Sequence, residues 1–359
     1  MKKMSILLCM LMVSFVILSG CGKKETESNA QDAQTETGET GESSENDASA
    51  PQTEAVGDPV DLSVAHIGAL ESPSNLAVEK FAELVKERSG GAITVTNYPA
   101  SQLGADREIL EGIVGGTIDM GLPGAGITAI YLPEYNIFDT PYIFESEEHL
   151  MNAAQGELGQ ELADKFLETT GVRVITQNWK RGTRQSIFAK EVKDLEDFAG
   201  VKIRLPEVEA YLKAFELLGT KPTIVPFNET YSALQQGVVD GMECPLDWIY
   251  DNKFYEICKH LVMTNHDYSI MTVLMNENKW NSLSPEQQEI IQTAAVEAGE
   301  YENQLLADKE SEYLEKMKEA GVTVYEPDLE PFLEKVRPVL PQITAVWGEG
   351  LYDKVQSYK

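Results

Sequence analysis

Asp61-Leu-Ser-Val-Ala-His-Ile67, the run from Ser74 to Ser89, and Ala92-Ile-Thr-Val-Thr-Asn97 decide the fold. The first and third pieces alternate apolar and polar residues, as half-buried strands do. Between them Ala77, Val78, Phe81, Leu84 and Val85 recur at helical spacing, and Gly90-Gly91 supplies the stop. Asp106 to Val114 then reads as a helix, Thr117 to Leu122 as a strand, and Glu147 to Thr169 as one further helical stretch. Strand–helix alternation of this kind means an α/β fold.

A second series follows. Val172-Arg-Val-Ile-Thr176 and Arg184-Gln-Ser-Ile-Phe-Ala189 read as two separate strands, and Val201-Lys-Ile-Arg-Leu205 as a third, closed by Pro206. Glu207 to Leu218 reads as a helix ended by Gly219, Thr223 to Val225 as a strand, and Thr230 to Gln236 as a helix. Val239 to Glu243 and Ser269 to Met275 complete the strands. Two such series predict two α/β lobes with a cleft between them. The first spans about 61–180 with late returning segments, and the second about 181–275. From Ser284 to Ala320 the chain reads as a single helix. Ser284 caps it, Pro285 fits its first position, Gln287 completes a capping box, and Gly321 ends it. At about 1.5 Å per residue it approaches 50 Å, long enough to lie across both lobes. Gly299 within it costs about 1 kcal/mol relative to Ala and marks a candidate bend.

Upstream of the fold, Met1 to Gly20 reads as a signal peptide. Lys2 and Lys3 precede an apolar run from Ile6 to Leu18, too short to span a bilayer well, and Leu18-Ser-Gly-Cys21 follows. That tetrapeptide resembles the bacterial lipobox, which implies acylation of Cys21 and a lipid-anchored protein facing outside the cytoplasm. An uncleaved membrane anchor is the other reading. Residues 21–60 hold ten acidic residues against two lysines and almost nothing large and apolar, so they read as the lipidated Cys and a disordered acidic tether.

The whole chain has 359 residues, with 29 Lys+Arg against 59 Asp+Glu and a formal charge of −30. That acidic balance argues against a nucleic-acid partner, which needs a basic face. Small anions need only one basic pocket. The four histidines lack metal-ligand spacing, and no Walker loop, paired CxxC or nucleophile elbow occurs. No cofactor, metal or catalytic residue is therefore expected. Gly124-Ala-Gly-Ile-Thr-Ala129 matches a dinucleotide fingerprint, but Pro133 leaves too little room for the required helix, so it reads as a pocket-side loop. Cys244 and Cys258 set no disulfide framework, and no bridge is expected.

Arginine remains. Arg204 alternates away from the apolar face of its strand and sits at the strand's carboxyl end, where open α/β sheets bind ligands. A guanidinium fits a carboxylate through two parallel bonds. On spacing alone a surface arginine at a strand end is the better reading. Arg184 likewise reads either as a strand-end ligand group or as part of a solvated basic loop with Lys180 and Arg181.

Gly200-Val-Lys-Ile-Arg-Leu-Pro206, Leu218-Gly219, Pro226-Phe227, Glu229-Thr-Tyr231 and Ala233 to Pro245 together resemble the solute-binding receptors of TRAP (tripartite ATP-independent periplasmic) transporters, the DctP family. Tyr98 to Gly104, Gly182-Thr-Arg-Gln185 and Phe254-Tyr-Glu256 fit the same pattern. The resemblance covers about Asp61 to the C-terminus. It implies a two-lobed periplasmic-binding-protein-like fold closing on a small organic acid, with a long helix spanning both lobes and a TRAP membrane permease as partner. It implies that Arg204 pairs with the substrate carboxylate, that Arg184 reaches the same group, and that Phe227 packs on the ligand. Asp106 matches a polar pocket residue, although an acid at a helix N-terminus is an equal reading. Cys244 stands where many members carry an Asn, Gly124 where sialic-acid receptors carry an acid, and Ile67 where they carry an Asn. These departures disfavour sialic acid and favour a smaller or less hydroxylated acid. Trp179 and Trp248 are candidates for lining the pocket, with packing between lobes as the alternative. Two other functions compete: a receptor of an ATP-coupled importer for a sugar or peptide, and an extracytoplasmic enzyme acting on organic acids.

Overall fold

The computed structural model describes residues 55–359. The expected signal peptide and Cys21, and the tether as far as residue 54, lie outside the described residues. Strand β1 (Val60–Ala65), helix α1 (Pro73–Arg88), β2 (Ile93–Tyr98), α2 (Asp106–Val114) and β3 (Met120–Gly121) form one series. Short α3 (Ala125–Thr128), α4 (Glu147–Gln155) and α5 (Glu157–Thr170) lead to β4 (Val172–Phe188). The second series is β5 (Lys202–Leu205), α6 (Glu209–Leu217), β6 (Lys221–Ile224), α7 (Thr230–Gln235), β7 (Gly241–Pro245), α8 (Leu246–Asp251) and α9 (Phe254–Ile257). Then follow β8 (His260–Asn276), α10 (Glu277–Asn281), α11 (Pro285–Glu319) and β9 (Thr323–Tyr325), with three short helices beyond.

All nine strands of the described residues join one sheet, in the order β2-β1-β3-β8-β4-β7-β5-β6, with β9 added on β8. Within each lobe the outer strands pair in parallel, β1 with β2 and β3, and β5 with β6 and β7. The two triplets flank a long antiparallel pair, β4 and β8, which both lobes share. This differs from the expected strands at 172–176 and 184–189, because β4 is continuous across both and across the anticipated lobe boundary. Its register against β8 shifts four times between Val174 and Ser186. Bulges of this kind re-aim side chains and break the alternation by which a strand is recognised. The expected Thr117 to Leu122 strand shrinks to Met120–Gly121, and the helical stretch from Glu147 divides at Gly156, which is extended at φ −86°, ψ −165°.

Helix α11 is continuous over 35 residues. The capping box is present: Gln287 N–H donates to Ser284 Oγ (3.2 Å) and Ser284 N–H to Gln287 Oε1 (3.1 Å). Its buried face runs through Ile290, Ile291, Ala294, Ala295, Ala298 and Gly299, so small residues let it approach the sheet closely. It packs on α1, on β4 and on α8, and so touches both lobes. Gly299 does not interrupt the helix. A Cβ there would lie 2.5 Å from Trp179 Cδ1, so this glycine makes room for an indole. Trp179 is therefore not a pocket residue. It is 1% exposed, and its Nε1–H donates to Ala295 O at 2.8 Å. An indole N–H inside a core needs such a partner, and α11 supplies it.

The same helix holds the bulged part of β4. Asn178 Nδ2 donates to Val296 O (2.9 Å), Lys180 N–H to Asn303 Oδ1 (2.9 Å), and Asn303 Nδ2 to Asn178 O (2.9 Å). Backbone groups that a bulge removes from the ladder must find partners when buried. Here side chains of α11 and β4 provide them.

Candidate functional site

The parallel strands of both lobes end at one cleft. Ile67 follows β1, Asp106 opens α2 after β2, Arg204 and Pro206 end β5, Phe227 follows β6, and Cys244 lies near the end of β7. Arg181 and Arg184 reach the cleft from the bulged centre of β4. This is the carboxyl-end geometry that α/β sheets use for ligands. In this structure the space left between these side chains is about 20 Å³, room for roughly one water-sized group, so the cleft is nearly closed. Of the residues singled out in the sequence, Arg204, Arg184, Phe227, Cys244 and Asp106 meet there, and Trp179 does not.

Arg204 is 2% exposed. Its Nε–H donates to Val225 O at 2.9 Å, and its guanidinium lies 5.7 Å from the centre of the Phe227 ring. Among the described residues neither terminal nitrogen has a hydrogen bond or an acidic partner. Burial lowers its pKa to about 10, so it stays cationic at neutral pH. Phe227 is fixed edge-on by Trp248 (5.4 Å between centroids) and Phe254 (5.6 Å).

Arg184 has a partner that the sequence did not reveal. Glu243, at 0% exposure, accepts from its Nε (2.5 Å) and Nη2 (2.8 Å). The register of β4 against β7 brings them together, with Ser186 opposite Glu243 and Arg184 two residues along on β4. Burial opposes the charge on Glu243, yet Arg184 and His266 hold its carboxyl well below the ordinary carboxylate range. His266 Nε2 lies 3.1 Å from Glu243 Oε2, and its Nδ1 lies 2.8 Å from Thr264 Oγ1. Burial depresses the His266 pKa. Arg184 keeps Nη1 for the cleft and stands 5.0 Å over the Tyr211 ring. Tyr211 in turn donates to Asp267 Oδ2 at 2.8 Å.

Arg181 is not in a solvated loop: it is 7% exposed, lies on β4 and lines the cleft. Gly124 permits this, since a Cβ there would lie 2.5 Å from Arg181 Nη1. The Gly124 to Ala129 segment forms α3 beside the cleft, and Gly126 N–H donates to Asp139 Oδ2 at 2.7 Å. Asp106 has a buried Oδ1 without a partner, and burial raises its pKa against the pull of Arg181 and Arg204. Burial likewise pushes the Cys244 thiol up to about 11. That thiol is a neutral, weak donor. Cys244 and Cys258 are both free and buried.

Arg181, Asp139, Glu243, Tyr211 and His266 were the residues missed. An acid in the apolar run from Gly241 to Pro245, and a basic residue two beyond a tryptophan in a strand, were the available signals.

Residues 64–345 match the family model DctP, bacterial extracellular solute-binding protein, family 7. The sialic acid-binding periplasmic protein SiaP of Vibrio cholerae is 32% identical over 291 residues, which is 81% of this chain and 89% of that one. The C4-dicarboxylate-binding periplasmic protein DctP of Rhodobacter capsulatus is 32% identical over 272 residues, 76% of this chain and 81% of that one. A TRAP periplasmic solute-binding protein of Actinobacillus succinogenes, solved with bound L-galactonate, superposes with a TM-score of 0.80 at 30% identity, covering 83% of this chain and 99% of that one. With two lobes meeting at an arginine-lined cleft, a helix laid across both and these matches over most of its length, the chain belongs to family 7 of the bacterial extracellular solute-binding proteins, the DctP receptors of TRAP transporters.

Proposed function

We propose that this protein captures a small organic acid outside the cytoplasm through an ion pair between Arg204 and the ligand carboxylate, and delivers it to a TRAP permease in the membrane. The observation that carries this reading is the Arg204 guanidinium, buried in the cleft with both terminal nitrogens unpartnered. Burying a charge without a partner is costly, and an incoming carboxylate repays that cost through bidentate bonds. Arg184 adds one more N–H, and Phe227 offers a fixed apolar wall. Lobe closure follows when the ligand also reaches first-lobe residues of the cleft such as Asp106, and so favours the closed arrangement. Cys21 carries the lipid anchor that keeps the receptor at the outer face of the membrane. No helix among the described residues is long and apolar enough to cross a membrane.

The test is a thermal-unfolding panel on the full chain with dicarboxylates, uronates, aldonates, keto acids, neutral sugars and peptides. A ligand at about a thousand times its dissociation constant adds roughly 4 kcal/mol and raises the midpoint by several degrees. Only acids should do so. A charge-assisted hydrogen bond is worth about 1.5–3 kcal/mol, so Arg204→Ala should weaken binding at least about tenfold. Unchanged affinity in that variant, or a shift from neutral sugars alone, would sink the proposal. Release of a Cys21→Ala protein from cells tests the anchor, and retention would contradict it.

A further inference from the structure

We propose that Arg181 is the seat for a second anionic group, so that the acid this receptor takes carries two charged ends and a hydroxyl between them. The inference rests on the reading of the cleft as an organic-acid site and specifies its ligand.

The three cleft arginines are not equivalent. Arg184 is already neutralised by the bidentate Glu243. Arg204 has one bond, to a backbone carbonyl. Arg181 makes no hydrogen bond or ion pair among the described residues, and its Nε is buried without a partner. A side chain this buried whose Nε–H is sealed from water with no acceptor is unusual, because that N–H has lost its water for nothing. Its position is nevertheless well fixed. The guanidinium lies 4.3 Å over the Trp248 ring, a cation–π contact that fixes its position. Trp179, two residues earlier, is bound to α11, so the strand beneath Arg181 is clamped. Gly124 leaves space for Nη1 that any side chain would occupy. The result is a rigid, donor-only group facing the cleft.

The acids around Arg181 do not satisfy it. Asp139 Oδ2 accepts from the Gly126 N–H. Asp106, Asp247 and Glu302 are near enough to feel its charge, and none pairs with it. Asp106 Oδ1 is itself an unpartnered buried acceptor in the cleft wall. The unmet groups thus ask for two anionic acceptors, at Arg204 and Arg181, and one donor at Asp106. A compact hydroxy diacid supplies all three.

Calorimetric titration of the full chain with D-glycerate, succinate, L-malate and phosphoglycerate tests this. L-malate should bind at least about tenfold tighter than D-glycerate, the gain from one charge-assisted contact. Succinate, which lacks the hydroxyl for Asp106, should fall between them. Phosphoglycerate separates a carboxylate seat from a phosphate seat, since either second anion improves on D-glycerate and the tighter one names the group. Arg181→Gln should bring the L-malate to D-glycerate ratio close to one, through a larger loss for L-malate than for D-glycerate. If that variant does not fold, Gly124→Ala, which crowds Nη1, should lower the same ratio. Equal binding of D-glycerate and both dianions by the wild-type protein would overturn the proposal. Equal loss for every ligand in Arg181→Gln would do so too, because it would make Arg181 a counter-charge for the surrounding acids. Failure of every acid, with a neutral sugar binding instead, would remove the organic-acid reading itself.

Discussion

Replacing Glu243 by Gln removes one charge from a fully buried pair and leaves its volume nearly unchanged. In the wild-type protein Glu243 accepts from Arg184 at 2.5 and 2.8 Å, and its Oε2 lies 3.1 Å from His266 Nε2. Gln offers one acceptor oxygen and turns an NH₂ group toward another donor. Two charge-assisted bonds at about 1.5–3 kcal/mol each bound the loss from above, and breaking one side of a buried pair costs about 3–5 kcal/mol. For a domain of this size 1 kcal/mol moves the midpoint by about 2 °C, so thermal unfolding followed by circular dichroism should show a fall of roughly 6–10 °C. The loss should also depend on ligand. Without Glu243, Arg184 joins Arg181 and Arg204 as an uncompensated cation, and a bound acid then neutralises part of what was lost. Saturating L-malate should therefore raise the variant's midpoint by more than it raises the wild type's. A fall of less than about 2 °C would show that Arg184 does not depend on Glu243. A deficit unchanged by ligand would show that the pair is uncoupled from the cleft.

Gly299→Ala should lower the unfolding midpoint, since its Cβ would meet Trp179 at 2.5 Å and overpacking costs about 1–3 kcal/mol, more than the roughly 1 kcal/mol of helix propensity gained; a rise in midpoint would refute the close approach. Asp247, buried and near Asp251, has its pKa raised to about 8. The folded state thus holds its proton more tightly than the unfolded state, so its contribution is full below about pH 4 and is lost as pH rises through 8. Asp247→Asn should raise the midpoint by a few degrees at pH 9 and leave it almost unchanged at pH 4, and the reverse pattern would contradict the assignment. Arg107 Nη1 donates to both Glu207 oxygens at 2.7 and 2.8 Å across the cleft mouth, with both side chains nearly half exposed. Such exposed pairs are weak and screened by salt, so Arg107→Ala should speed ligand release by no more than about fivefold at low salt and have little effect at high salt, and a salt-independent change would exclude an ion-pair latch.

The α/β alternation, the second helix from Asp106 to Val114 and the capped long helix were legible because each depends on local periodicity and end signals. The shared strands were not. β4 carries Gln177, Asn178, Arg181 and Arg184 into the interior, and its register shifts scramble the two-residue repeat, so the sequence reads as two short strands and a polar loop. Their surroundings come from distant elements: Gln177 donates to Ala154 O of α4 and Gly159 O of α5, Asn178 to Val296 O of α11, and Arg184 to Glu243 of β7, which no local pattern encodes. The Arg184–Glu243 pair spans 59 residues of sequence and appears only when β4 and β7 are set in register. Motif resemblance located Arg204, Arg184, Phe227, Cys244 and Asp106 together. It passed over Arg181, whose burial depends on the absence of a side chain at Gly124, 57 residues away.

The energetics of closure bear on why two anion seats would be useful. A ligand moves a two-state equilibrium only by its differential affinity for the two states, and a shift from about 1:99 to 99:1 requires roughly 5.5 kcal/mol. The Arg107–Glu207 pair is exposed and screened, so it supplies only a small part of that. One carboxylate on Arg204 adds about 1.5–3 kcal/mol per charge-assisted bond, and Arg204 belongs to the second lobe, so that contact forms whether or not the first lobe has closed. Arg181 stands on the strand common to both lobes, against Gly124 of the first and over Trp248 of the second. Asp106 belongs to the first lobe alone. An acid held at Arg204, Arg181 and Asp106 together makes its last two contacts only when the lobes meet. A monoacid held at Arg204 alone would bind without closing the receptor. On this argument dianions should close the lobes and monoanions should leave them open, a difference that small-angle scattering would register as a smaller radius of gyration with L-malate than with D-glycerate at equal saturation.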